Sequence, residues 1–320
     1  MSRKKTLRLL FVADPLERFN PERETTLWIM REAQRRGYEI YATTPEALSA
    51  KTRDVYGTCL KLKILPPGKL PWYQILLSQR REVKSFDAVL LRKDPPFDRA
   101  YLHHLQLLDL ISSEVYMMNH PRGILTMGEK FFPLFYPGLS PETLVSCDEN
   151  EILNFIARHP KGSILKPIGS SGGRGVYWIQ GDKSPNLKVL LEDATQEFRR
   201  YVILQPYLPE VKRGDKRILL LGKHTLGAFL RKPAAGEHRA NLHAGGSLHP
   251  TKVSSSEAKI VAALGPELRR LGLDLVGLDL IGPYLTEVNI TSPMGLAELS
   301  KTGHPEASAQ VLDFIEKRIQ

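Results

Sequence analysis

Ser163-Ile164-Leu165-Lys166-Pro167-Ile168-Gly169-Ser170-Ser171-Gly172-Gly173-Arg174-Gly175-Val176-Tyr177-Trp178-Ile179 runs from one short apolar segment through a glycine-rich turn into another. Both flanks read as strands, so the segment is an antiparallel hairpin. That separates it from a P-loop, in which a strand leads into a helix and the glycines end in GK[ST]. Gly169, Gly172, Gly173 and Gly175 permit positive φ and close backbone approach, so successive amides can point at phosphate oxygens. Lys166, just before the turn, can add a point charge for the same anion. The other reading of the segment, taken alone, is a flexible hairpin turn that is merely rich in glycine.

Downstream the pattern of short strands continues. Residues 201–205, 216–221 and 225–231 read as strands, and Ser254-x-x-Glu257 is a capping box opening a helix to about Leu271. Two more strands, 273–281 and 284–289, flank Gly282-Pro283. Upstream the style differs. Residues 8–13 form a buried strand closing on Asp14-Pro15, and residues 24–36 carry Leu27, Met30 and Ala33 at helical spacing before Gly37. A strand at 38–42, a strand at 88–91, a helix over 99–110 and a strand at 115–118 follow. Such alternation predicts a parallel sheet with ligands outside the carboxyl ends of its strands. Asn119-His120-Pro121 breaks it. The expected architecture is therefore an α/β, Rossmann-like parallel-sheet domain over residues 1–121, followed by an α+β domain over 122–320.

The chain has 320 residues, enough for about two domains. Its 24 glycines and 23 prolines follow no G-x-y period, which excludes a collagen-like class. Lys and Arg number 45 against 35 Asp and Glu, a net charge of +10. The excess is spread over both predicted domains, whereas nucleic-acid binders concentrate theirs on one stripe. A diffuse excess suits small anionic ligands, so no nucleic-acid partner is expected. No stretch approaches the roughly 18 apolar residues of a membrane span. The apolar run 9–13 after the basic amino end is too short for a signal peptide. Cys59 and Cys147 lie far apart without metal-ligand spacing, which fits a reducing compartment. A cytoplasmic protein without a membrane partner is expected.

A second polar cluster is Gly277-Leu278-Asp279-Leu280-Ile281 with Thr286-Glu287-Val288-Asn289. Glu287 and Asn289 share a strand face because the side-chain period is two, and Asp279 can join them from the neighbouring strand. Three oxygen donors on one face suit Mg²⁺, with Mn²⁺ as an alternative. A solvated sheet face is the other reading, but the flanks Leu278, Leu280, Val288 and Ile290 are apolar. Unpaired carboxylates in such a sheet would be costly, which favours the metal. Leu204-Gln205-Pro206-Tyr207-Leu208-Pro209 could offer backbone groups to a purine edge. Gly214-Asp215-Lys216-Arg217 and Leu230-Arg231-Lys232-Pro233 place charges at strand ends, and Arg239-Ala240-Asn241 adds a polar loop.

The order Glu129-Lys130, Leu165-Lys166-Pro167, the glycine turn, Gln205-Pro206-Tyr207-Leu208-Pro209, Gly214-Asp215-Lys216-Arg217, Arg239-Ala240-Asn241, Gly277-Leu278-Asp279 and Thr286-Glu287-Val288-Asn289-Ile290-Thr291-Ser292-Pro293 resembles the bacterial glutathione synthetases, which are ATP-grasp ligases. Val12-Ala13-Asp14-Pro15, Glu32-Ala33-Gln34-Arg35-Arg36-Gly37-Tyr38-Glu39 and Leu91-Arg92-Lys93-Asp94-Pro95-Pro96-Phe97-Asp98 extend the resemblance over nearly the whole chain. It implies that the second domain is an ATP-grasp domain. Lys130, Lys166 and the turn with Gly169, Ser170, Ser171, Gly172 and Gly173 would hold ATP, with Gln205, Tyr207 and Leu208 at the adenine and Asp215 near the ribose. Arg217 and Arg231 would face the reacting centre. Asp279, Glu287 and Asn289 would hold the metal. Asp14, Arg92, Arg239, Asn241 and Ser292 would surround a γ-glutamyl dipeptide.

The implied activity is ATP-dependent ligation of γ-glutamylcysteine and glycine through an acyl phosphate, in a homo-oligomer. Three segments depart from the family. Arg122-Gly123-Ile124-Leu125-Thr126-Met127-Gly128 is divergent, and Arg239-Ala240-Asn241 stands where the family usually reads RGN. Met294-Gly295-Leu296-Ala297-Glu298 stands where the family usually reads T-G-[IL]-R-E, without the arginine. A related ATP-grasp ligase joining another peptide or amine is thus the alternative, and a non-catalytic nucleotide-binding protein a more distant one.

Overall fold

The computed structural model describes residues 6–320 apart from 171, 182, 183, 235, 238, 239, 241, 243 and 244. Its first sheet contains β1 (Arg8–Ala13), β2 (Glu39–Thr43), β3 (Leu48–Lys51), β4 (Asp54–Ile64), β5 (Tyr73–Glu82), β6 (Ala88–Arg92) and β7 (Tyr116–Met118). β2, β1, β6 and β7 lie side by side and parallel, as the alternation predicts. β1 and β6 are buried almost throughout, because elements cover both faces of a parallel sheet. The helices here are α1 (Thr25–Arg35), α2 (Arg99–Asp109) and α3 (Pro121–Thr126). The sheet is not wholly parallel. β4 runs antiparallel to β2, β3 and β5. The sequence reading misses β5 because it is mostly exposed and lacks the alternation of a half-buried strand.

The second sheet has the order β10-β9-β11-β8, with β8 (Leu144–Ser146), β9 (Ser163–Pro167), β10 (Tyr177–Ile179) and β11 (Val202–Pro206), all antiparallel. The quoted hairpin is β9–β10. α4 (Glu149–Arg158) and α5 (Leu187–Thr195) pack with this sheet around Ile152, Phe155, Leu165, Leu191 and Leu204.

The third sheet runs β14-β13-β12-β15-β16, also antiparallel. Its strands are β12 (Asp215–Leu221), β13 (His224–Lys232), β14 (Ser247–Pro250), β15 (Leu275–Ile281) and β16 (Tyr284–Asn289). With it go α6 (Ser255–Arg270), α7 (Leu296–Lys301) and α8 (Ala307–Arg318). The Ser254–Glu257 capping box opens α6 as read from sequence.

The first and third sheets share their cores. Leu10 and Val12 belong to one apolar cluster with Ile218, Val276 and Leu278, and Phe11 and Met30 to another with Leu219, Leu221 and Leu312. Asn119, at the predicted break, is a buried joint between them. Its Nδ2 donates to the carbonyls of Leu275 and Ile290, both at 2.7 Å, and its Oδ1 accepts from Asp274 N at 2.8 Å and Leu275 N at 2.7 Å. The second sheet is the separately packed unit. No helix among the described residues is long and apolar enough to cross a membrane.

Candidate active site

A cleft lies between the second and third sheets. Lys166, Gln205, Tyr207 and Leu208 line it from one side, Asp215, Asp279 and Glu287 from the other, and Lys130, Ser170, Gly172 and Gly173 close it. Ile164, Val176, Val211 and Ile281 give it an apolar wall suited to a flat ring. Lys166 Nζ donates to Gln205 Oε1 at 2.7 Å, and Gln205 Nε2 donates to Thr143 Oγ1 at 3.0 Å. Burial lowers the Lys166 pKa, so an incoming anion would restore a charge that the site disfavours. Tyr207 stacks on Trp178 at 4.5 Å.

The glycine turn is held against the third sheet. Lys130 Nζ donates to the carbonyls of Ile168, at 3.4 Å, and Ser170, and pairs with Glu287 Oε1 at 3.1 Å. Gly175 has φ +68°, and a Cβ there would meet Pro167 at 2.9 Å, so both conformation and space demand glycine.

Strand register assembles a ladder of charges. Asp215 faces Arg231 across β12–β13, Arg217 faces Asp279 across β12–β15, and Asp279 faces Glu287 across β15–β16. Arg217 donates through Nε and Nη2 to the two Asp279 oxygens, the latter at 2.8 Å, and through Nη1 to Met294 O at 3.1 Å. Arg231 pairs with Asp215 and, at 3.0 Å, with Asp279 Oδ1. Burial opposes ionisation of Asp279, but the two arginines outweigh it and hold its carboxyl at about 2. For Asp215 burial prevails over Arg231 and pushes the carboxyl up to about 6. The carboxylates are therefore paired, contrary to the reading of polar residues isolated among apolar flanks. Those partners sit on adjacent strands distant in sequence.

These residues fit a hard divalent cation. Asn289 Nδ2 donates to Gly277 O and Asp279 Oδ2, each at 3.2 Å, which leaves its Oδ1 as the group able to meet a cation. Asp279 and Glu287 supply anionic oxygens beside it. Among the described residues no three His, Cys, Asp or Glu side chains gather into a metal cluster. The donor set is two carboxylates and an amide.

The cleft adjoins a second cavity lined by Arg217, Arg231, Asn289, Ser292, Asp94, Arg23 and Glu298. Ser292, the expected dipeptide contact, is one of the lining residues. Asp14 and Arg92 are not among the residues lining it. Arg92 is buried behind the wall, where Nε donates to Thr26 Oγ1 and Nη2 to Pro293 O, both at 3.1 Å. Asp14 pairs with Lys93 at 2.7 Å and accepts from Asp94 N at 2.8 Å. Both thus shape the loops that carry Asp94, Ser292 and Pro293. Gly169 faces a neighbouring cavity with Phe97 and Arg200. Ser171, Arg239 and Asn241 lie outside the described residues.

Sequence reasoning gave no role to Arg23, Asp94 or Glu298. Asp94 lay within the quoted Arg92–Asp98 motif, whereas Arg23 had no local signal. Glu129 was named only with Lys130. It accepts hydrogen bonds from Ile290 N at 2.9 Å and from Thr291 N and Oγ1 at 3.0 and 2.8 Å, fixing the segment after β16. Ala297, in one of the departures from the family pattern, is fully buried and does not line the cavity.

An antiparallel sheet carrying a glycine turn, closed over a second antiparallel sheet with a carboxylate–arginine ladder, defines the ATP-grasp class. Solved structures share this fold across the chain. The D-cycloserine synthetase DcsG matches with TM-score 0.67 and 15% identity over 98% of this chain and 100% of its own. A RimK domain ATP-grasp protein from Sphaerobacter thermophilus matches with TM-score 0.60 and 16% identity over 97% and 99%. The family models for the prokaryotic glutathione synthetase N-terminal and ATP-grasp domains match residues 7–124 and 129–304. Glutathione synthetases of Agrobacterium fabrum and Parasynechococcus marenigrum are each 38% identical, the first over 95% of both chains, the second over 98% of this chain and 100% of its own. The chain belongs to the prokaryotic glutathione synthetase family, and it is an ATP-dependent ligase.

Proposed function

We propose that this protein joins γ-glutamylcysteine to glycine at the expense of ATP, giving glutathione, ADP and phosphate. The observation that carries this reading is the continuity of the two cavities through Gly172, Asp279 and Glu287, which line both, with Arg217 and Arg231 on the second. A nucleotide between the sheets would present its terminal phosphate to whatever occupies the second cavity. The adenine would sit against Leu208 and Tyr207, and the phosphates under Ser170, Gly172 and Gly173 beside Lys130 and Lys166.

A carboxylate is a poor acyl donor because its oxygen is a poor leaving group. Phosphoryl transfer to the cysteinyl carboxylate would give an acyl phosphate, which the glycine amine attacks with release of phosphate. Arg217 and Arg231 would stabilise the transferring group and the tetrahedral oxyanion. A Mg²⁺ ion on Asp279, Glu287 and Asn289 would neutralise phosphate charge. The glycine turn, pinned by Lys130, excludes the water that would hydrolyse the acyl phosphate.

The test is ADP release by the purified chain with Mg²⁺-ATP and γ-glutamylcysteine, with and without glycine, recording the product mass. Glycine-dependent release with tripeptide formed is expected. Nucleotide binding without that product overturns the substrate assignment and favours a related ligase.

Self-association is the second reading. Among the described residues β5 pairs with β4 alone, and its Ile75, Leu76 and Leu77 are about half exposed. Such an apolar edge invites pairing with another copy. Sedimentation should show an oligomer at micromolar concentration, and a monomer there overturns it.

A further inference from the structure

The second cavity holds a pair of opposite charges that the ligation chemistry does not use. Glu298, in the first turn of α7, is only 5% exposed, and among the described residues its Oε2 has no hydrogen-bond partner. Its Oε1 lies 3.5 Å from Nε of Arg23, which precedes α1. Both side chains line the cavity that also contains Arg217, Arg231 and Ser292. A buried carboxylate with one oxygen unsatisfied is costly, and one 3.5 Å contact leaves most of a guanidinium's donors for another anion.

The pair is held in place by the backbone. Thr25 Oγ1, fully buried at the start of α1, accepts from Gly295 N at 2.9 Å and Leu296 N at 3.3 Å at the start of α7. Arg23 and Glu298 therefore sit two and three residues from a fixed joint. A site that needs a cation's donor at one oxygen and offers guanidinium donors beside it fits a zwitterion.

We propose that Arg23 and Glu298 clamp the free α-amino-acid end of the dipeptide, with guanidinium to α-carboxylate and Glu298 Oε2 to α-ammonium. This rests on the proposed γ-glutamyl substrate. In a γ-linked peptide the α-ammonium and α-carboxylate share one carbon, whereas an α-linked dipeptide has a peptide bond in place of that carboxylate. The clamp thus reads the linkage itself. Glycine is the other zwitterion present, but its amine must be neutral to attack. A carboxylate that holds an ammonium charged opposes that step.

The experiment compares steady-state tripeptide formation from γ-glutamylcysteine, glutarylcysteine, which lacks the α-ammonium, and 4-aminobutyrylcysteine, which lacks the α-carboxylate. With the unaltered enzyme each truncated substrate should raise KM at least tenfold while kcat stays within about threefold. Glu298→Gln should raise KM for γ-glutamylcysteine about tenfold and abolish the preference over glutarylcysteine. Arg23→Met should do the same for 4-aminobutyrylcysteine. KM for ATP and for glycine should change less than about twofold, which also reports an intact fold. Equal KM values for the three substrates with the unaltered enzyme overturn the clamp without any variant. So does preserved discrimination in Glu298→Gln, or an effect on glycine KM in place of dipeptide KM. If the unaltered enzyme forms no tripeptide, the underlying function fails and the clamp with it; formation without discrimination removes the clamp alone.

Discussion

Arg217 and Asp279 face each other across the β12–β15 ladder, and the guanidinium donates to both carboxylate oxygens from a wholly protein-defined position. Arg231 adds a second contact at 3.0 Å. Three neighbouring strands, β13, β12 and β15, thus fix three charged groups beside the meeting of the two cavities. Preorganised charge of this kind stabilises a transition state without reorganisation at the moment of reaction.

The depressed pKa of Asp279 makes stability depend on acid. Its folded value of about 2 lies below the ordinary carboxylate value, so the ion pair stabilises the fold above about pH 4 and is lost as pH falls through 2. The contribution is on the order of 2 kcal/mol. Urea melts between pH 5 and pH 2 should show this loss in the unaltered chain, and a flatter profile in Asp279→Asn.

Glu287→Gln removes one anionic donor and the partner of Lys130 with little change of volume. Turnover should fall roughly 100-fold or more, with the fold retained by circular dichroism. The loss should be largest at limiting Mg²⁺. Near-normal activity under that condition would remove Glu287 from the metal assignment.

Lys166→Ala takes away a cation that burial already disfavours, together with the hydrogen bond that orients Gln205. ATP affinity measured by calorimetry should weaken about tenfold or more, while dipeptide affinity changes little. Unchanged ATP affinity would place Lys166 outside the nucleotide site.

Asn119→Ala deletes an amide that makes four buried hydrogen bonds between the parallel sheet and β15–β16. Several backbone groups lose their partners, so stability should fall by about 2–4 kcal/mol in urea unfolding. KM for ATP should be little altered, because Asn119 does not line the nucleotide cleft.

Segments whose signal is local are legible in the amino-acid sequence alone. The glycine turn between β9 and β10, the capping box of α6, and strands β1 and β16 follow from spacing, apolar runs and turn chemistry over a few residues. The motif order also places the chain in its family, because those residues follow one another along the chain. Contacts between distant segments emerge from the folded chain. It pairs Asp279 with Arg217 and Arg231, and it sets Arg92 on Thr26 and Pro293. It also brings Arg23 to Glu298 across 275 positions of sequence. Strand register and inter-sheet packing set these contacts, and they depend on pairings between residues far apart in the chain, which no local pattern encodes.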